Sequence, residues 1–118
     1  IFGFSHRSPY VTSKWGVIGL MKSLAIELGP YNIRVNAICP GSVKGERLEK
    51  VVEAEIETKG MTREEIYNAY TAGTSMKKLI KAEDIANMAL FLSSHGSRLV
   101  SGQVIAVDGH TEVPDPKV

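Results

Sequence analysis

SPYVTSKWGVIGLMKSLAIELG, residues 8–29, is the stretch on which the rest of the chain turns. Ser8 reads as an N-cap and Pro9 as the first helical residue, where its missing N–H costs nothing; Gly29 followed by Pro30 reads as a stop. Between these marks Val17, Leu20, Met21, Leu24 and Leu28 recur at helical spacing, and Val11, Trp15, Ile18 and Ala25 form a second apolar stripe beside them. An apolar surface that wide predicts a helix buried on more than one side. Tyr10 and Lys14 stand four apart near its start, hence on one face, with the ammonium in reach of the phenol.

That pair is the candidate for chemistry. A phenol titrates near ~10 in water and is a poor base at neutral pH. A neighbouring cation favours phenolate, which moves the group toward the range where a general acid or base works best. Such a tyrosine gives a proton to a carbonyl oxygen as hydride arrives, or takes one from an alcohol as hydride leaves. An isolated Tyr-x-x-x-Lys match reads instead as a chance pairing of an aromatic with a solvated charge.

The context removes that reading. Y-V-T-S-K at a helix start (10–14) is followed by E-L-G-P-Y-N-I-R-V-N-A-I-C-P-G (27–41), A-E-D-I-A (82–86) and S-G-Q-V-I-A-V-D-G (101–109). This order and spacing resembles the C-terminal half of a short-chain dehydrogenase/reductase from about Ser8 to Gly109, with 3-oxoacyl-thioester reductases and broad alcohol or sugar dehydrogenases as the nearest members. The resemblance implies an α/β fold: the C-terminal part of a Rossmann-like, doubly wound, mainly parallel sheet. It implies that Tyr10 is the catalytic acid/base, that Lys14 lowers its pKa and holds the nicotinamide ribose of NAD or NADP, and that Tyr10 is a cofactor contact beside it.

Family members are commonly about twice this size and form one doubly wound domain. Their phosphate loop, their cofactor-selecting residue and their catalytic serine precede the region that matches here, and neither Ser5 nor Ser8 stands at the serine's spacing. The resemblance therefore implies that residues 1–118 are a C-terminal fragment of a single domain, its N-terminal half absent from the chain, and inactive alone.

Composition narrows the class. A net charge of +1 lacks the strongly basic face of a nucleic-acid binder, and no apolar run is long enough to span a bilayer. No signal-peptide pattern opens the chain. The single cysteine, Cys39, excludes an intrachain disulfide framework and fits the cytoplasm, and it reads as a buried structural thiol. Three scattered histidines offer no metal-site spacing.

Residues 1–7 read as a loop leading into the helix, with His6 and Arg7 as solvated side chains. After the stop, residues 33–38 read as a short strand of a sheet buried on both faces, with Asn36 tying strand to loop. Pro40, Gly41, Ser42 and Val43 leave its carboxyl end, the place where open α/β sheets bind ligands. Proline fixes the turn and glycine permits close approach of a flat ring. In the family this turn contacts the nicotinamide, with the backbone of the residue at Val43 meeting the carboxamide. The threonine found two residues later in many relatives is Gly45 here, which puts a hydroxyl contact in doubt.

Residues 46–72 read as two charged helices. Leu48, Val51, Val52 and Ile56 stripe the first, which ends at Lys59-Gly60; Thr62 and Glu65 form a capping box for the second, carrying Ile66, Tyr67, Ala69 and Tyr70. The matching interval, residues 43–80, covers substrate in the family. A lid reading is preferred to a scaffold one, with Tyr67, Tyr70 and Met76 as candidates for its substrate side. Residues 82–92 read as a scaffold helix with Ile85, Met88, Ala89 and Leu92 on one face, and 103–107 as the last strand. Asp108, Gly109 and His110 stand where relatives usually have Asp-Gly-Gly, a change at the pocket rim or subunit contact. Pro114 and Pro116 mark a flexible end.

Two functions remain open on the sequence. One is an oxidoreductase acting on a small carbonyl/alcohol substrate, with NAD or NADP as cofactor and a dimer or tetramer of identical chains as its assembly. The other is a non-enzymatic oligomerisation or interaction module, since two strands and several apolar helices leave sheet edges and helix faces bare.

Overall fold

The long helix forms where the pattern placed it, shifted by one residue at its start. In the computed structural model, which describes residues 2–111, helix α1 spans Ser8–Leu28. Arg7 is the N-cap and makes no side-chain capping bond, so Ser8 and Pro9 are the first two helical residues. Proline is tolerated at both positions because neither N–H has an intrahelical acceptor. Gly29 does not stop the chain: it stays right-handed, residues Gly29–Tyr31 wind on as a 3₁₀ turn, and Asn32 takes the left-handed conformation (φ 59°) that breaks it. Asparagine is among the few side chains that visit this region readily.

Two strands follow the same parallel course. β1 (Ala37–Pro40) pairs with β2 (Val104–Val107). Ala37 N–H donates to the Gln103 carbonyl and Gly41 N–H to the Val107 carbonyl, both at 2.9 Å, so four residues along one strand match four along the other. The strand predicted over 33–38 thus begins later and runs to Pro40. Residues 34–36 are engaged differently: Val35 N–H donates to Ser101 Oγ, and the Val35 carbonyl accepts from Gly102 N–H. Neither strand has a buried residue, so the expected burial on both faces is not met. Two strands alone present no second layer on each face.

The described chain falls into two units, residues 2–39 with 86–106 and residues 40–85 with 107–111. In the first, Asn36 bridges strand and loop as expected, its Nδ2 donating to the Val100 carbonyl and its Oδ1 accepting from Gln103 N–H. Ser97, fully buried, satisfies its hydroxyl on the carbonyls of Phe91, Leu92 and Ser94 and accepts from Arg34. Cys39 is half-buried, more open than expected, because it belongs to the thinly covered β1.

In the second unit α2 (Glu46–Lys59) and α3 (Arg63–Thr71) pack together. Gly60 closes α2 in a left-handed turn (φ 65°), and Thr62 Oγ1 accepts from Glu65 N–H, half of the predicted capping box. Val52 and Ile66 have no exposed surface, and Arg63 pairs with Glu49 and Glu53. Burying side chains of this size is worth about 1.5–3 kcal/mol each.

Helix α4 spans Ala82–Leu92 as predicted, with Ile85, Met88 and Leu92 half-buried and Ala89 exposed. The Asp84 carboxylate accepts from Lys81 N–H and caps its first turn. Pro114 and Pro116 lie outside the described residues. Among the described residues no helix is long and apolar enough to cross a membrane, and no cluster of metal-ligating side chains forms.

Candidate active site

Helix α1 fixes Tyr10 and Lys14 one turn apart. Lys14 Nζ stands 5.5 Å from the centroid of the Tyr10 ring, a cation–π arrangement. The ammonium therefore lies over the aromatic face. Tyr10 is 49% exposed, so a reactant can reach it. Its backbone carbonyl accepts from Ser13 Oγ at 2.8 Å, which leaves the ring unencumbered by that neighbour.

The turn at residues 40–43 is held in the second unit by two backbone partners. Gly41 is anchored to Val107, and a Cβ placed on it would lie 2.9 Å from Asp108 Cα. The space that glycine leaves at 41 is thus filled by Asp108, a packing reason for the residue that pattern reading did not supply. Ser42, exposed, gives its carbonyl to Ile80 N–H (3.0 Å), and Lys44 N–H donates to the Ile80 carbonyl (2.8 Å). Val43 sits between these bonds in a parallel bridge to Ile80.

Peptide groups alternate sides along an extended chain. With its neighbours' groups turned to Ile80, the N–H and C=O of Val43 face the opposite edge, where no hydrogen bond among the described residues engages them. A donor and an acceptor side by side match a primary carboxamide, which carries one of each. The backbone N–H and C=O of Val43 are thus a pair of the kind that the amide end of a nicotinamide would need.

Tyr10 and Lys14 are brought together by their helix; Pro40, Gly41, Ser42 and Val43 are brought together with Ile80, Val107 and Asp108. Ile80 was not legible as a site residue, because it acts through its peptide group and carries no chemical signature. Ser75 was missed too: it meets His110, and the changed Asp-Gly-His was the only hint. In the 43–80 segment Tyr67 and Tyr70 are half-buried and Met76 is 58% exposed.

A family model described as enoyl-(acyl carrier protein) reductase matches residues 2–110. The chain belongs to the short-chain dehydrogenase/reductase family. It is similar to the 3-oxoacyl-[acyl-carrier-protein] reductase FabG of Thermotoga maritima, 38% identical over 109 residues that make up 92% of this chain and 40% of that one. Its fold is similar to carveol dehydrogenase from Mycobacterium avium in complex with NAD (TM-score 0.80, 30% identity, 92% of this chain, 41% of that one). It is also similar to L-sorbose reductase from Gluconobacter frateurii complexed with NADPH and L-sorbose (TM-score 0.80, 26% identity, 87% and 40%). The chain spans about 40% of the length of the curated relatives it matches, and those solved relatives carry NAD or NADPH.

Proposed function

We propose that this chain is the C-terminal part of an NAD(P)-dependent oxidoreductase that interconverts a small carbonyl compound and its alcohol. The observation that carries the reading is the Lys14 ammonium seated 5.5 Å from the centre of the exposed Tyr10 ring. Tyr10 hands its proton to the carbonyl oxygen in reduction and recovers one from the alcohol in oxidation. Lys14 stabilises the phenolate that this leaves, and its ammonium offers donors to ribose hydroxyls. A nicotinamide cofactor, when bound, supplies or accepts the hydride. Val43 holds the carboxamide through its N–H and C=O, and Pro40, Gly41 and Ser42 shape the turn that presents them.

Residues 43–80 serve as the substrate cover, with Tyr67, Tyr70 and Met76 toward the substrate. FabG, as a relative, favours a 3-oxoacyl thioester as the carbonyl compound. A cytoplasmic setting fits the lone, half-buried Cys39.

Lys14→Ala in the full-length protein tests the reading, because the residue has two roles in it. Affinity for NAD(P)H and turnover of an acetoacetyl thioester should fall together, turnover by at least a hundredfold. Wild-type affinity with wild-type turnover would remove Lys14 from the site.

A second reading rests on the surface of α1, where Trp15, Val17, Leu20 and Ile26 are 50–79% exposed. An apolar surface of this kind suits a dimer or tetramer of identical chains. Sedimentation of the full-length protein should give a multiple of the monomer mass that Leu20→Gln lowers. A monomeric wild type would end that reading.

A further inference from the structure

The end of the 43–80 segment is fastened to the chain just beyond β2. Ser75 N–H donates to the His110 carbonyl (2.9 Å), Met76 N–H donates to the Gly109 carbonyl (3.2 Å), and Thr74 and Thr111 form an antiparallel bridge. A side-chain bond joins these backbone ones: His110 Nδ1 and Ser75 Oγ are 2.9 Å apart. His110 holds an unusual backbone for a side chain of its kind (φ 62°), and its N–H donates to Asp108 Oδ1. At the base of the segment, Val43 and Ile80, its first and last residues, bridge its two stems. Between the stems, α2 and α3 are locked by Val52, Ile66 and the Arg63 ion pairs. Residues 73–79 lead out of this helix pair on its exit side.

We propose that His110 is a positioning residue: through Ser75 it closes a clasp that holds residues 74–76 against the end of β2 and so fixes the place of Met76. The inference rests on the reading of 43–80 as the substrate cover. Glycine at 110, the residue the family pattern leads one to expect, would relax the backbone angle and remove the clasp's side-chain bond. Met76, 58% exposed, is the side chain whose position the clasp would release.

Amide hydrogen exchange on the full-length protein, read on peptides covering 74–80 with an α2 peptide as control, tests the clasp directly. His110→Gly and Ser75→Ala should each speed exchange over 74–80 about tenfold and leave α2 unchanged. The double variant should be no faster than His110→Gly alone, since Ser75→Ala removes only a bond that His110→Gly has already removed. His110→Asn tolerates the backbone angle and keeps a donor and an acceptor at the δ position that Nδ1 occupies, so it should stay close to the wild type. In steady state with an acetoacetyl thioester and NADPH, His110→Gly and Ser75→Ala should raise the substrate KM severalfold, with kcat and NADPH affinity unchanged. In His110→Gly and Ser75→Ala, unchanged exchange or an unchanged KM, like additive effects in the double variant or exchange in His110→Asn as fast as in His110→Gly, would overturn the proposal. Absence of turnover in the wild type would sink the oxidoreductase reading instead, and the exchange arm alone would then decide the clasp.

Discussion

Helix α1 and the α2–α3 pair stabilise themselves by opposite means. Over 21 residues α1 buries only Ile18 and Met21, and it leaves Leu20 60% and Ile26 79% exposed. The α2–α3 pair is far more charged, yet its Val52 and Ile66 have no exposed surface, and Arg63 pairs with Glu49 and Glu53 across it. Apolar content is therefore a poor guide to which segment is self-sufficient. What decides it is whether the covering surface lies nearby in sequence. For α2 it does, a few residues past Gly60. The broad apolar surface of α1 has no such neighbour, and under the proposed function its cover comes from the rest of the full-length protein or from a second copy.

Substitutions can break this contrast or sharpen it. The largest effect is expected at Ile66, which has no exposed surface: Ile66→Ala should cost about 2–5 kcal/mol in chemical denaturation. A loss under 1 kcal/mol would mean that the pair has no real core. Next is Gly41→Ala, whose Cβ would meet the Asp108 backbone at 2.9 Å. Because that backbone must shift, about 1–3 kcal/mol should be lost, and an unaffected melting curve would show that the turn yields easily. Smallest is Leu20→Gln in the 118-residue chain, expected within about 0.5 kcal/mol of wild type because the side chain is already largely exposed. A loss of several kcal/mol there would show that α1 is covered after all.

The same contrast explains what could be read from sequence. Local rules carried the α2–α3 region well: Gly60 ends one helix in a left-handed turn, Thr62 caps the next, and Val52 and Ile66 fall on the apolar stripes. Each of those features is set within a few residues. The start of β1 was misplaced because Val35 and Asn36 find their partners at Val100, Ser101, Gly102 and Gln103, more than sixty positions away. The burial expected for α1 was inferred from periodicity, which reports which faces are apolar and is silent on what covers them. At the candidate site, Tyr10 and Lys14 were legible because one helix places both. The exposed edge of Val43 depends on Ile80, and the Ser75–His110 bond joins residues 35 positions apart, so neither had a local signature.

The account stands most directly on the phenol of Tyr10. Rapid mixing of NADPH-loaded full-length protein with an acetoacetyl thioester, followed by the decay of reduced-nicotinamide absorbance, isolates the step in which that proton moves. Tyr10→Phe should keep NADPH affinity and fold while slowing the decay by a factor of about 10²–10⁴. A decay in Tyr10→Phe as fast as in the wild type would contradict the assignment of Tyr10 as the proton donor.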